Sequence, residues 1–447
     1  MNLQNKKTVV IGMGKSGLAA CELLKKMGAE LCVFDENKEM SDSNKERFKD
    51  VPVYLGDLPD SVLGSLDCAV ISPGIPLTKP LVLRLREKNV PIIGEVELAY
   101  LMERGTVIGI TGTNGKTTTT ALTGDIIKAY KKSCFVVGNI GNPYTKEVEQ
   151  TSEQSVTVAE ISSFQLETID TFCPDISAIL NITPDHLDRH GSMENYIEAK
   201  FRITKNQSEK QFCVLNYEDE VLRERASGLN CRVGFFSSKR PLKNGLYQNE
   251  NHDIVDGATG EVLMNMRDSR IPGDKNCENI MAAILITREI GVPMETIVSA
   301  VKEFHAVEHR IEYVCTKHDV EYYNDSKGTN PDAAITGIQS MSRRTVLIGG
   351  GYDKSAEYDS WIQAFDGKVK KLLLLGQTKE KIAASAEKMG FLDYEFVDSL
   401  EAAVTRAAEI ASPGDAVLLS PACASWDMFD SFEQRGKLFK EYANQLL

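Results

Sequence analysis

The sequence predicts an α/β protein with mostly parallel sheets. Short apolar runs alternate with helix-period segments along nearly the whole chain, and glycine-rich turns follow several of those runs. No tandem repeat or low-complexity stretch interrupts the pattern. A chain of 447 residues has room for about three domains. A content of 42% hydrophobic and 26% charged residues suits a globular protein with several cores.

The first block, residues 1–96, opens with a strand over 8–11, a glycine turn and a helix through Leu23 and Leu24. Strands over 31–34 and 68–71 follow. The second block, 97–304, has strands over 107–110, 134–137, 156–161 and 176–180. It closes on a helix with Ile280, Ala283 and Ile284 on one face. The third block, 305–447, has strands over 320–323, 345–348, 371–375 and 416–419, with helical patterns between them such as 400–410.

Composition excludes several classes. A formal net charge of −13 lacks the basic footprint of a nucleic-acid binder, so no nucleic acid is expected as a partner. The ten cysteines form no C-x-x-C pair, which argues against zinc and against a disulfide framework. No apolar run approaches the ~20 residues that span a bilayer. The first residues run straight into a strand, without the pattern of a secretory signal. A cytoplasmic protein without membrane insertion is expected.

The strand over 107–110 feeds Gly112, Thr113, Asn114, Gly115, Lys116, Thr117 and Thr118, and a helix follows. Backbone N–H groups of such a turn, at a helix N-terminus, cradle phosphates. A lysine there reaches the β and γ phosphates, and the next hydroxyl holds Mg²⁺. Ile110 stands where the first glycine of the usual motif belongs, so the match is incomplete. ATP is the expected ligand.

Gly12, Gly14 and Gly17 fit G-x-G-x-x-G, and Asp35 ends the next strand, where a ribose-binding acid sits. Alone, this turn is compatible with a nicotinamide dehydrogenase or with any diphosphate ligand. Glu160 ends a strand and is placed for a metal, whereas His186 after the strand over 176–180 is a weak ligand for Mg²⁺ by itself. Lys200 falls on the apolar face of a helix near 192–204, as a snorkelling stem or as a buried, paired lysine. Three polar loops follow third-block strands: 324–330, 349–355 and 420–427. Together they suit an anionic small substrate in one cleft.

These residues resemble the Mur ligase family across essentially the whole chain. The resemblance rests on Gly112 to Thr118, Glu160-Ile161-Ser162-Ser163-Phe164-Gln165, Asn181 to Asp188, Lys200, Asn276, Asn279, His309-Arg310 and Asn324 to Asn330. The loops 324–330 and 420–427, with Phe432-Glu433-Gln434-Arg435-Gly436, resemble the branch that adds D-glutamate to UDP-N-acetylmuramoyl-L-alanine. The resemblance implies a Rossmann-like N-terminal domain that binds the UDP substrate, a central P-loop-type ATPase domain and a Rossmann-like C-terminal domain that binds the amino acid.

It also implies site roles. Gly14, Lys15, Ser16, Asp35, Ser72, Gly74, Asn139, Ser162 and Gln165 would contact the UDP substrate. Asn279, Arg310 and Asp325 would join the loop 112–118 on ATP. Thr117, Glu160, His186 and a carbamylated Lys200 would hold two Mg²⁺ ions. His186, Thr329, Lys354, Ser425, Trp426 and Phe432 would surround D-glutamate, and Lys116, His186 and Lys200 would be catalytic. A monomer is expected. Lys275 and Ala306 depart from the family pattern, which usually has histidine and glycine there. A folylpolyglutamate synthase fits the first block less well. A nicotinamide dehydrogenase leaves the loop 112–118 unexplained, and a non-catalytic nucleotide-binding regulator would need neither Glu160 nor His186.

Overall fold

A computed structural model describes residues 1–39, 46–130, 133–140, 142–271, 273–305 and 308–446. Ala306 lies outside them. The chain forms two compact units. The first comprises residues 1–182, 194–266 and 278–302, and the second comprises 183–193, 267–277 and 303–447. The fold is α/β with mostly parallel sheets, as the sequence predicts.

The first unit holds two sheets. The smaller places Val53–Leu55, Glu30–Asp35, Lys7–Ile11, Cys68–Ile71 and Ile92–Gly94 side by side, all parallel. Its central strands are apolar on both faces because helices cover both, and Val9, Val10 and Leu24 are fully buried. The larger sheet has nine strands. Six are parallel, in the order Arg232–Ser237, Phe212–Asn216, Ile176–Ile179, Thr106–Thr111, Val156–Glu160 and Cys134–Gly138. Leu246–Gln248 extends this parallel set, and Asp253–Asp256 and Val262–Asn265 add an antiparallel margin.

The second unit holds a six-stranded sheet in the order Glu312–Lys317, Val320–Asn324, Ala416–Leu419, Thr345–Gly349, Val369–Leu374 and Tyr394–Phe396. Only the first pair is antiparallel. Trp361, Leu347, Leu372 and Leu418 fill one face, and Val346, Val417, Leu419 and Phe439 fill the other.

Parallel register fixes which strand ends meet. Ile110 pairs with both Glu160 and Ala178, so the ends of these three neighbouring strands share one edge. Ile110 itself is fully buried in the sheet. The strand therefore runs on through the position of the usual first glycine, and the turn begins at Gly112, where φ is +146°.

Candidate active site

The turn after Thr106–Thr111 is pinned from the neighbouring strand end. Asn181 accepts from the Asn114 N–H with its side-chain oxygen at 2.8 Å, and its backbone carbonyl accepts from Thr113 N at 2.9 Å. Its amide donates back to the Asn114 carbonyl at 3.1 Å. Gly115 has a φ of +83° and caps the helix Lys116–Ala129. The positive φ favours glycine at 115, and a Cβ there would come within 2.3 Å of Asn279 Oδ1 and displace that side chain.

Two lysines reach this turn. Lys116 Nζ donates to the carbonyls of Gly112 at 2.9 Å and Thr113 at 2.8 Å. Lys200 Nζ donates to the same Gly112 oxygen at 2.7 Å and lies 4.5 Å from the centroid of the Tyr196 ring. Lys200 is 2% exposed, so of the two readings of its helix face the structure selects burial over a snorkelling stem. The Tyr196 hydroxyl lies 3.1 Å from Thr113 Oγ1, which ties the lysine's helix to the turn.

Glu160 stands at the same sheet edge and is 1% exposed. Its Oε1 accepts from Asn139 Nδ2 at 2.8 Å, while its Oε2 is buried with no hydrogen-bond partner among the described residues. A buried carboxylate oxygen left open beside a phosphate-type turn is the hard donor that a divalent cation takes. These residues fit Mg²⁺. Ser162 caps the following helical turn through a reciprocal pair with Gln165. Asn279 Oδ1 accepts from Thr119 Oγ1 at 3.3 Å on the far side of the loop.

The smaller sheet carries a cavity of about 470 Å³ lined by Gly14, Lys15, Ser16, Asp35, Ser72 and Gly74, among others. Asp35 organises it: Oδ2 accepts from Met13 N at 2.9 Å and Oδ1 from Asn37 N at 2.9 Å. A Cβ on Gly17 would meet the Gly12 carbonyl at 2.0 Å, so only glycine lets the helix Lys15–Lys26 pack this close to the turn. Asn139, Ser162 and Gln165 are not among the residues lining this cavity.

In the second unit the three polar loops do meet. Asp325 N donates to Leu419 O at 2.7 Å, Gly350 N to Pro421 O at 2.9 Å and Tyr352 N to Ala424 O at 2.9 Å. Lys354 Nζ pairs with Asp185 Oδ1 at 2.8 Å, and Asn330 Nδ2 donates to Asp185 Oδ2 at 3.1 Å. Burial pushes the Asp185 carboxyl up, but Lys354, His186 and the Asn330 amide outweigh it and hold it at about 2. His186 sits beside it at a φ of +53°, with Nε2 3.6 Å from Asp185 Oδ2. Asp325 is fully buried, and burial pushes its carboxyl up to about 6 against the pull of Arg310 and the Ser420 hydroxyl.

Thr329 N donates to Lys327 O at 2.9 Å. Ser425 is buried, and Trp426 is exposed with its ring against Tyr352. Phe432 stacks edge-on to His309, with Lys327 Nζ 5.2 Å from its ring centroid.

Sequence reasoning assigned no role to Arg435. This side chain is 1% exposed and donates to Ser326 O at 2.8 Å, Ser326 Oγ at 3.0 Å, Cys423 O at 3.2 Å and Ala424 O at 3.3 Å. Burial lowers its guanidinium to about 10. It ties two of the three loops to the helix Phe432–Gln445. The signal was present: Arg435 shares a helical face with Phe439 and Phe432, where an arginine needs partners.

Comparison with known proteins agrees with this architecture. Family models match residues 6–94 (Mur ligase MurD-like, N-terminal domain), 110–287 (Mur ligase middle domain) and 309–423 (Mur ligase, glutamate ligase domain). The chain belongs to the Mur ligase family, and it has that family's three-domain build. It is 53% identical over 454 residues to the UDP-N-acetylmuramoylalanine–D-glutamate ligase of Lachnoclostridium phytofermentans, covering 100% of this chain and 99% of the relative. It is 46% identical over 455 residues to the enzyme of the same name from Clostridioides difficile, covering all of both. Among solved structures, MurF ligase from Thermotoga maritima in complex with ADP matches with a TM-score of 0.62 at 18% identity, over 99% of this chain and 96% of that one. UDP-N-acetylmuramate-alanine ligase MurC from the same organism matches with a TM-score of 0.62 at 19% identity, over 98% and 99%.

Proposed function

We propose that this chain joins D-glutamate to the alanyl carboxylate of UDP-N-acetylmuramoyl-L-alanine at the expense of ATP, with ADP and phosphate as products. The reading includes an acyl-phosphate intermediate, a cytoplasmic location and a monomeric enzyme. Peptidoglycan precursor synthesis is its setting. One observation carries it: a chain matching D-glutamate ligases end to end holds Lys116, Lys200 and the half-satisfied Glu160 at one sheet edge.

The domain roles follow the expected boundaries: residues 1–96 for the UDP substrate, 97–304 for ATP and 305–447 for the amino acid. Asp35 and the turn 12–17 would hold the nucleotide diphosphate, and Asn139, Ser162 and Gln165 the sugar end. Lys116 would exchange the Gly112 and Thr113 carbonyls for phosphate oxygens and bring positive charge to the transferring phosphoryl group. Asn279, Arg310 and Asp325 would contact the adenine nucleotide.

Thr117, Glu160, His186 and a carbamylated Lys200 would hold Mg²⁺, which neutralises phosphate charge when bound. The alanyl carboxylate attacks the γ-phosphorus and ADP leaves. The D-glutamate amine then attacks the acyl carbon, and phosphate leaves. Thr329, Lys354, Ser425, Trp426 and Phe432 would orient the amino acid, with His186 near its amine. Holding the reactants in register supplies much of the rate.

Phosphate release measured with ATP, Mg²⁺, UDP-N-acetylmuramoyl-L-alanine and either glutamate enantiomer tests the reading. Release is expected with D-glutamate alone. Equal release with both enantiomers, or none with either, refutes it. For Lys200, activity lost in Lys200→Ala and partly restored by added short carboxylates is expected, and unchanged activity rules carbamylation out.

A further inference from the structure

The helix Glu95–Tyr100 joins the two sheets of the first unit and buries two acids, Glu95 at 4% exposure and Glu97 at 2%. They are treated in opposite ways. Glu97 accepts from the N–H groups of Asp170 at 2.8 Å, Thr171 at 2.8 Å and Phe172 at 3.0 Å, and from the Thr171 hydroxyl. Glu95 accepts one bond, from Gln165 Nε2 to Oε1 at 2.8 Å. Its Oε2 is buried without a partner among the described residues. Burial pushes this carboxyl up, opposed by the Gln165 amide and the Ser16 hydroxyl. An open buried acceptor loses its hydration without a replacement bond, so one beside a fully satisfied neighbour calls for a reason.

The two neighbours supply it. Ser16 lies in the first turn of the helix Lys15–Lys26 and lines the cavity of the smaller sheet. Gln165 Oε1 accepts from Ser162 N at 2.9 Å and Ser162 Oγ at 3.1 Å, just beyond Glu160. The line Ser16, Glu95, Gln165, Ser162 thus runs from the first cavity to the larger sheet's edge.

We propose that Glu95 is a positioning residue for the extended nucleotide substrate. It fixes Gln165 against the Ser16 turn so that one ligand engages both, and its open oxygen receives the Ser16 hydroxyl when that ligand binds. This rests on the ligase reading above.

The test compares wild type, Glu95→Gln, Glu95→Leu and the double variant Glu95→Leu/Gln165→Leu. The readouts are UDP affinity by calorimetry and KM for UDP-N-acetylmuramoyl-L-alanine and for ATP. Glu95→Leu is expected to raise the substrate KM about tenfold, leave the ATP KM within twofold and weaken UDP, which fills only the first cavity, by less than threefold. Glu95→Gln keeps the acceptor and restores the substrate KM to within threefold. The double variant removes both partners of the Glu95–Gln165 bond, leaving no stranded Gln165 amide but opening the Ser162 cap; its fold is checked by thermal denaturation, and its substrate KM stays raised. A double variant with wild-type KM, or a fall in kcat alone, overturns the proposal. Wild type without turnover overturns the ligase reading and this inference with it.

Discussion

At the turn 112–118 of the first unit, lysines are held by backbone carbonyls and the nearby acid keeps an open oxygen. In the loop cluster of the second unit, Asp185 is paired with Lys354 and Asn330, and Arg435 is committed to the backbone. The first arrangement leaves charge ready for a ligand. A lysine on carbonyl oxygens gives up weaker partners than a lysine on a carboxylate, and phosphate oxygens can outbid them. The second arrangement uses charge to hold loops in place. Residues at the turn should therefore govern rate, and buried residues of the cluster should govern stability and its pH dependence.

The largest expected effect is on rate. Lys116→Ala should lower kcat by about a hundredfold to a thousandfold with the melting temperature nearly unchanged, read by steady-state phosphate release and thermal denaturation. A large loss of stability would erase the contrast. Next comes Arg435→Ala, which empties a buried site and strands the Ser326 and Cys423 carbonyls. A loss of about 3 kcal/mol is expected in denaturant unfolding. Arg435→Lys should recover little of it, since an ammonium cannot serve the same fan of acceptors.

Two buried carboxylates then sharpen the comparison through opposite signs. Asp185 is held at about 2, below its ordinary 3.8. Its stabilisation is present above pH 4 and disappears as pH falls towards 2, on the order of 2–3 kcal/mol in all. Asp185→Asn should flatten that acid limb. Asp325 is raised from 3.8 to about 6. Between those values the folded state holds more protons than the unfolded chain, so stability should fall as pH rises from about 4 to 6. Asp325→Asn should remove that fall in pH-resolved unfolding, an effect of the same order as the one at Asp185.

Much of the fold could be read from the chain because parallel strands covered on both faces are unbroken apolar runs. The strand Ala416–Leu419 and the helix Leu400–Ile410 lie where periodicity puts them. The strands Val53–Leu55, Ile92–Gly94 and Tyr394–Phe396 escaped because three residues at a sheet margin carry too little pattern. The antiparallel hairpins between Leu246 and Asn265 were hidden by polar turns. The turn 112–118 declares itself because glycine and lysine are the function there. Glu95 and Arg435 do not, since their meaning lies in bonds to residues 70 or 109 positions away. No local pattern records such distances.

The Glu97 carboxylate has a consequence for how the first unit comes apart. It stitches the helix leaving the smaller sheet to the backbone at Asp170, Thr171 and Phe172 beside the larger one, and the Gly94 N–H adds a bond to Thr168 O at 3.1 Å. Neither sheet can lose its order without tearing buried bonds on the other. Although two separate family models cover them, the two sheets should denature as one cooperative body, with a single calorimetric transition for the whole first unit.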